Sequence, residues 1–294
     1  MKKLPVYVLI TPARNEAAYI EQTIHSIINQ TVLPEKWIIV SDGSTDGTDE
    51  IVQQHQARYP FIELLRRQSS EERNFASKVY AFKDGLGRVT GVEYDFIGNL
   101  DADVTFSPFY YEKVLEKFIS NPKLGIAGGE VFDFYDNTEH KRYSSYNSVA
   151  GAVQLFRRNC YEEVGGYIPI SFGNEDSIAE ITARMKGWET HSFPELKVLH
   201  HRRTGTEGRT ILKVRFKQGR IEYMVGYHPF FHIARAIQRF WQAPCVVGSL
   251  VRMCGYFWAC LERPKRKVPE EFVNFLRQEE FKKMIALLRG GFGN

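Results

Sequence analysis

Residues 94–103 read YDFIGNLDAD, and the predicted fold depends first on this stretch. Its first seven residues, Tyr94–Leu100, form an apolar run that we interpret as a buried strand. Asp101 and Asp103 follow at the strand's end, where a turn can bring both carboxylates to one rim. Unpaired, they would repel, and burying them would cost free energy. A divalent cation such as Mg²⁺ or Mn²⁺ relieves that cost, so such a pair is a natural place to hold a metal-diphosphate. Asp-x-Asp alone also arises by chance, and the inference depends on the other charged clusters in the chain.

Outward from this stretch, the first 135 residues alternate strand and helix patterns. Such alternation predicts an α/β fold: a Rossmann-like, mixed but mostly parallel sheet flanked by helices. Ligands of such sheets bind beyond the carboxyl ends of the strands. The predicted strands are Val6–Thr11, Trp37–Val40, Ile62–Leu65, Tyr94–Leu100, Leu124–Phe132, Ala152–Arg157 and Leu196–His200, and the predicted helices are Glu16–Gln30, 48–59, one from Ser69 or Ser70, Pro108–Ser120, Asn159–Val164 and Asp176–Met185.

Charged clusters follow several of these strands. Pro12–Glu16 opens the first predicted helix, with Asn15 as its cap, and the segment either simply caps that helix or meets a nucleoside. Asp42 lies at the tip of the second strand beside Gly43, and is either part of an acidic turn or an acceptor for a uracil-type base edge. Arg73, early in the next helix, is either a solvated surface residue or a cation reaching the same crevice.

Two later clusters have similar alternatives. Glu175 and Asp176 begin a predicted helix, where acids suit the helix dipole, but a carboxylate there can also act as a general base. His200 and His201 end the last strand and point to opposite faces, so one of them can join Asp103 in a metal shell. Arg202 beside them can neutralise phosphate.

The charged residues divide the sequence into an acidic N-terminal part and a basic C-terminal part. Residues 1–196 carry a net charge of −8, and residues 197–267 carry +12. Aromatic residues interleave with Arg235 and Arg239, which is typical of a helix lying in a membrane interface; a helical appendage packed on the rest and a true span are the alternatives. The short run Val6–Ile10 predicts no secretory leader. The four cysteines show no ligand spacing and are interpreted as buried thiols in a reducing compartment.

Taken in order, the motifs resemble those of glycosyltransferase family 2. The resemblance covers roughly residues 5–203 and is specific as a set rather than piece by piece. The matching segments are Thr11–Glu16, Val40–Asp46, Arg73-Asn74, Asp101-Ala102-Asp103, Gly128-Gly129 and Glu175-Asp176.

This resemblance implies a GT-A fold, a nucleoside-diphosphate-sugar donor with UDP favoured, a Mg²⁺ or Mn²⁺ ion and inversion at the anomeric carbon. We expect a catalytic domain over residues 1–203, with a donor half (1–103) and an acceptor half (104–203), and a basic helical region over 204–294. The carried-over roles are nucleotide-sugar binding for Pro12, Arg14, Glu16, Asp42, Arg73, Asp101 and Arg202, metal binding for Asp103, Asp101 and His200 or His201, and base chemistry for Asp176 with Glu175 beside it.

Gln238–Trp241 matches the Gln-x-x-Arg-Trp motif of processive members only loosely, so we expect transfer of a single sugar to a lipid-linked or polysaccharide precursor. The expected location is cytoplasmic, at the inner membrane face, with an anionic membrane surface and no nucleic acid as partner. Two other enzyme classes remain alternatives. Asp101 to Thr105 fits the Asp-x-Asp-x-Thr motif of haloacid-dehalogenase-like phosphohydrolases, and a nucleotidyltransferase shares a related sheet.

Overall fold

The computed structural model describes residues 5–68, 75–142, 145–170, 173–202, 211–240 and 245–288. The chain divides into two compact units, residues 1–203 and 204–294. Arg73, Arg203 and Trp241 lie outside the described residues.

The first unit alternates strands and helices up to β4 and then becomes less regular. Its elements are β1 (Tyr7–Ala13), α1 (Ile20–Ile28), β2 (Lys36–Asp42), α2 (Thr48–Gln56), β3 (Ile62–Arg67), α3 (Phe75–Gly87), β4 (Phe96–Asn99), β5 (Val104–Phe106), α4 (Tyr110–Ser120), β6 (Leu124–Tyr135), β7 (Thr138–Lys141), β8 (Leu155–Arg157), α5 (Arg158–Val164), α6 (Glu175–Met185) and β9 (Glu189–His200).

The strands of the described residues form one sheet in the order β3-β2-β1-β4-β8-β6-β9-β5, with β7 paired to β6. The four strands β3, β2, β1 and β4 are parallel; the edge strand β3 is half-buried, whereas the inner strands β2, β1 and β4 are covered on both faces. Val8 and Ile10 of β1 pack into one core with Phe82 of α3, whereas Leu9 packs into the other core with Ile24 of α1. Burial on both faces explains why these strands read as continuous apolar runs.

The second half of the sheet is mixed and determines what lies beside Asp103. β8 runs antiparallel to β4, and β9 pairs in parallel with β6 and antiparallel with β5. This register places His200 opposite Val104 on one side and Asp133 on the other. The last strand therefore returns to the end of β4.

Some element boundaries differ from the prediction. α1 begins at Ile20, and Asn15 is not its cap: it has a left-handed backbone (φ 56°), and its Oδ1 accepts a hydrogen bond from the Thr45 N–H. α4 begins two residues after Pro108. β9 begins at Glu189 because its first half pairs with β6, a pairing that the local pattern does not reveal.

The second unit contains α7 (Ile211–Val225), α8 (Pro229–Gln238), α9 (Val247–Glu262) and α10 (Glu270–Leu288). α7 and α9 cross closely, since a Cβ on Gly219 would lie 1.9 Å from the Arg252 carbonyl oxygen. None of the described helices combines the length and apolar character needed to cross a bilayer. The expectation of buried thiols is wrong for Cys245 and Cys254, which are exposed, whereas Cys160 is buried.

Candidate active site

Two carboxylates and an imidazole meet beyond the end of β4. Asp101, Asp103 and His200 each offer a ligand atom, and these atoms lie within 4.8 Å of one another. His200 Nε2 is 3.4 Å from Asp103 Oδ1, and His200 Nδ1 is 3.2 Å from Asp133 Oδ1. His201 is not part of this cluster: its Nε2 lies 2.7 Å from Thr105 Oγ1 and its ring meets Phe134. The structure therefore brings His200, and not His201, to the two carboxylates.

The electrostatics of this cluster suit a divalent cation. Burial raises the pKa of Asp103; His200 and Arg202 lower it, and the Asp101 carboxylate adds to the rise. Burial would also raise the pKa of Asp101, but the Lys78 ammonium lowers it below its ordinary value. The raised pKa means that the neighbouring cations do not fully stabilise the Asp103 carboxylate, and a bound metal cation would do so. Two carboxylates and an imidazole form a donor set that Mg²⁺ or Mn²⁺ accepts.

Lys78 is a site residue that the sequence reasoning missed. Its Nζ lies 2.6 Å from Asp101 Oδ1, and Asn99 Nδ2 donates to the same oxygen at 3.3 Å. Lys78 lies on α3, and no motif marks it. Its role depends on how α3 packs over β1 and β2, so only its position shortly after Arg73-Asn74 could have drawn attention to it.

A pocket connects Lys78 with the first turn of α6. Its lining includes Lys78, Asn99, Tyr167, Glu175 and Asp176. Gly173 (φ 86°) and Asn174 (φ 80°) precede α6 with left-handed backbones and set the direction in which the two acids enter the helix. The structure therefore brings Glu175 and Asp176 into the same pocket as the residue that pairs with Asp101.

The two acids of α6 have different surroundings. Asp176 Oδ2 accepts from the Gly151 N–H at 3.2 Å, and its Oδ1 accepts from the Ser177 N–H at 2.8 Å. A Cβ at position 151 would lie 2.8 Å from Asp176 Oδ2, so a larger residue there would displace this carboxylate. Glu175 Oε2 is buried and has no hydrogen-bond partner among the described residues. Burial and the Asp176 carboxylate raise the pKa of Glu175 to about 7, against the opposing effect of Lys78.

Behind Asp176, a buried polar network holds the loop that contains Gly151. Glu180, one turn further along α6, accepts hydrogen bonds from the Val149 N–H and from Ser148 Oγ, the latter at 3.0 Å. Gln154 donates to Glu180 Oε1 at 3.2 Å and accepts from the Tyr167 hydroxyl at 2.7 Å. Burial and Asp176 raise the pKa of Glu180 to about 8. The network fixes the backbone that touches Asp176.

The loops after β1 and β2 form a second part of the site. Asp42 at the end of β2 pairs with Arg67 of β3 at 3.0 Å, a partner that the sequence did not predict. Pro12 is half-buried near the end of β1, and the buried Arg14 Nη1 has no hydrogen-bond partner among the described residues. Arg73 lies outside the described residues, so its predicted place in this crevice is not described.

Arg202 joins this second part to the carboxylate cluster. Its guanidinium pairs with Glu16 Oε2 at 2.5 Å and lies 3.5 Å from Asp103 Oδ2. Burial raises the pKa of Glu16 to about 7, although Arg202 lowers it. Glu16, Asp103 and Arg202 thus lie together although 186 residues separate the first from the last.

Solved structures with a similar fold support the predicted architecture. A mannosyltransferase from Pyrobaculum calidifontis, in complex with GDP-Man and Mn²⁺, matches 97% of this chain and 81% of its own with a TM-score of 0.56 and 16% identity. GalNAc-T7 with UDP, GalNAc and Mn²⁺ matches 98% of this chain and 58% of its own with a TM-score of 0.62 and 13% identity. At these identities the likeness concerns the fold, and it confirms the GT-A prediction.

Curated relatives are similar over part of their length. A 180-residue match to glycosyltransferase AglE of Haloferax volcanii is 26% identical and covers 56% of both chains. A poly-beta-1,6-N-acetyl-D-glucosamine synthase of Staphylococcus epidermidis is 25% identical over 61% of this chain and 44% of its own. A putative teichuronic acid biosynthesis glycosyltransferase of Bacillus subtilis, TuaG, is 46% identical over 38% of this chain and 41% of its own. The chain thus spans about half the length of these relatives.

The family model itself matches the part of the chain that contains the strand-end clusters. The model described as glycosyl transferase family 2 covers residues 8–181, which includes Pro12, Asp42, Asp101, Asp103 and Asp176. Neither the phosphohydrolase nor the nucleotidyltransferase alternative is favoured by these comparisons. The order of the motifs, the sheet that gathers them and the family match agree, and the chain belongs to glycosyltransferase family 2.

Proposed function

We propose that this chain is an inverting glycosyltransferase that moves one sugar from a nucleoside-diphosphate-sugar to an acceptor hydroxyl. The observation that carries the proposal is the pairing of two acidic centres. The Asp101–Asp103–His200 cluster suits a cation, and Glu175 with Asp176 lines the adjoining pocket. Lys78 contacts the first centre and lines the pocket of the second. Sugar transfer needs both functions, since a leaving diphosphate must be neutralised and an attacking hydroxyl deprotonated.

Asp103, Asp101 and His200 would hold Mg²⁺ or Mn²⁺, whose positive charge would stabilise the diphosphate that leaves the sugar. Support comes from the geometry of the three ligand atoms and from the two fold neighbours, both of which are complexes that contain Mn²⁺. Arg202 and Lys78 add positive charge around the same oxygens.

The donor nucleoside would lie against the loops after β1 and β2. Pro12 comes from the end of β1 and Arg14 and Glu16 from the loop after it, and Asp42 and Arg202 complete the surface, with Arg73 as a further proposed contact. The buried Arg14 Nη1, which has no hydrogen-bond partner among the described residues, supports this placement, because such a donor is costly until an acceptor arrives. UDP is the favoured donor nucleotide, since the Asp42 carboxylate can accept a hydrogen bond from an N–H on the edge of the uracil base.

Asp176 would take the proton from the acceptor hydroxyl as that oxygen attacks the anomeric carbon. Its two backbone hydrogen bonds, from Gly151 and Ser177, fix the direction of the carboxylate. Glu175 beside it would contact the acceptor. One base and no enzyme nucleophile imply a single displacement, which inverts the anomeric configuration.

The test is release of nucleoside diphosphate, together with ligand-induced thermal stabilisation. The purified chain is mixed with UDP-, GDP- or dTDP-sugars, with Mn²⁺ or with a chelator. We expect one nucleotide class to raise the melting temperature in the presence of the metal only, since a ligand that binds the folded state stabilises it. Absence of any metal-dependent shift, and of any released diphosphate with a range of sugar acceptors, would contradict the proposal.

The proposed acceptor is a lipid-linked or polysaccharide precursor at the cytoplasmic face of an anionic membrane. Support comes from α9, where one exposed apolar stripe follows a helical spacing: Val247, Leu250, Phe257, Trp258 and Leu261. Residues 197–267 add a net charge of +12, and such charge attracts anionic lipid.

Sedimentation with phosphatidylglycerol vesicles tests this membrane contact. We expect Trp258→Glu with Leu261→Glu to remove binding to these vesicles. Ile119→Glu, on an equally exposed position of α4, serves as the matched control and should bind as wild type does. Equal sedimentation of all three proteins would contradict the membrane proposal but leave sugar transfer untouched.

A further inference from the structure

A second cluster of metal-ligating side chains lies on α1 and α2, apart from the carboxylates beyond β4. Glu21 and His25 are four residues apart on α1 and share one face of that helix. His55 lies in the last turn of α2. Each of the three offers a ligand atom, and these atoms lie within 4.8 Å of one another.

The distances within this cluster suit ligands around an ion better than direct contacts. His55 Nε2 lies 3.8 Å from Glu21 Oε1, too far for a hydrogen bond. Two ligands bound at about 2.1 Å to a tetrahedral zinc ion lie about 3.4 Å apart. The rings of His25 and His55 meet edge to face with their centroids 5.4 Å apart.

His55 lies beside Glu21 and His25, and its imidazole is only partly engaged by the described residues. It is only 8% exposed, and its Nδ1 is buried with no hydrogen-bond partner among the described residues.

We infer that Glu21, His25 and His55 form a site for a zinc-class transition-metal ion, with water in the remaining position. Two imidazoles with one carboxylate favour zinc over the harder Mg²⁺ and Mn²⁺. The ion joins α1 to α2 and thus stiffens the two helices that follow the loops after β1 and β2. This inference is independent of the proposed sugar transfer.

Zinc binding to the chelator-stripped, tag-free chain tests the site, measured by titration calorimetry. The Asp103→Asn background weakens zinc binding at the other cluster. We expect Asp103→Asn to bind one zinc ion and to melt at a higher temperature with zinc present. Adding His25→Ala should weaken this binding at least about tenfold, because one of three protein ligands is lost. His25 is exposed, so its removal leaves the core intact.

His140→Ala in the same background is the matched control, since His140 is an exposed histidine on β7 outside both clusters. His55→Gln provides a second variant at the buried ligand and should match His25→Ala. Unchanged zinc affinity after His25→Ala, or no zinc binding by the Asp103→Asn protein, would overturn the inference.

Discussion

The two units of the chain differ in the balance of negative and positive groups around their buried carboxylates. Beyond β4, the carboxylates of Asp101, Asp103 and Glu16 share Lys78 and Arg202, and the pKa of Glu16 is raised to about 7, chiefly by burial. In the helical unit, the single carboxylate of Glu222 meets Arg252, His232 Nδ1 at 2.6 Å and Arg235 at 3.5 Å.

The pKa shifts reflect this difference in composition. Burial alone would raise the pKa of Glu222, but Arg252, His232 and Arg235 lower it well below its ordinary value. Burial and the same arginines lower the pKa of the neighbouring Arg239 to about 9. Negative charge is thus in excess in the first unit, and positive charge in the second. The first cluster is suited to receive a cation, whereas Glu222 already has cationic partners. Glu222, His232, Arg235 and Arg252 form a structural centre of the helical unit.

The largest expected effect comes from removing the charge of the carboxylate cluster. Asp103→Asn should lower sugar transfer on the order of 10³-fold, since metal-bound charge stabilisation is lost. Transfer is measured as nucleoside diphosphate released, and metal-dependent thermal stabilisation by the donor should vanish with it. Asp136→Asn, in the turn between β6 and β7, is the control that keeps the cluster intact. Wild-type transfer by Asp103→Asn would mean that the excess negative charge has no catalytic use.

The two acids of α6 give the next effect and assign the base. Asp176→Asn should lower kcat by about 10²–10⁴-fold with little change in the donor KM, as expected for loss of a general base. Glu175→Gln should cost less. In the wild-type enzyme, the rate should rise through about pH 7, because the Glu175 carboxyl ionises there. Glu175→Gln should remove this rise. A greater loss for Glu175→Gln than for Asp176→Asn would reverse the two roles.

Breaking the helical centre should cost stability rather than chemistry. Glu222→Gln leaves Arg252 and Arg235 without their charge partner, so we expect a loss of about 3–5 kcal/mol in the free energy of unfolding of the helical unit. Urea denaturation of the full chain measures it. Glu262→Gln removes the partner of Arg220 at the surface and should cost less than about 1 kcal/mol. Equal costs for the two variants would show that Glu222 is not a structural centre.

The smallest effect concerns pH and the network behind Asp176. The folded pKa of Glu180, about 8, lies above its ordinary value of 4.5, so the folded state binds more protons between these values and stability falls as pH rises. Glu180→Gln should flatten this fall by roughly 1–3 kcal/mol between pH 5 and pH 8. Denaturation at both pH values tests it. Glu162→Gln, at an exposed ion pair with Arg158, should keep the wild-type slope.

The parts of the fold that depend on local pattern were predictable, and the fold class is confirmed. Buried parallel strands and amphipathic helices leave periodic patterns, and strand ends place Asp42, Asp101 and Asp103 at one edge of the sheet. Neither Lys78 nor the Glu180 network was predictable, because each depends on how a helix packs against distant segments. The choice between His200 and His201 likewise required the register of β9 against β5. The catalytic roles of these residues remain predictions.

One consequence of the loop geometry concerns the redesign of donor preference. The loops after β1 and β2 are hydrogen-bonded to each other: Asn15 exchanges bonds with Ser44 and Thr45, and the Glu16 N–H donates to Thr48 Oγ1 at 2.8 Å. Segments about thirty residues apart therefore behave as one unit. Grafting either loop alone from another transferase would break these hydrogen bonds, so a redesign would have to exchange both loops together. For the same reason, the two loops would have to change together in evolution.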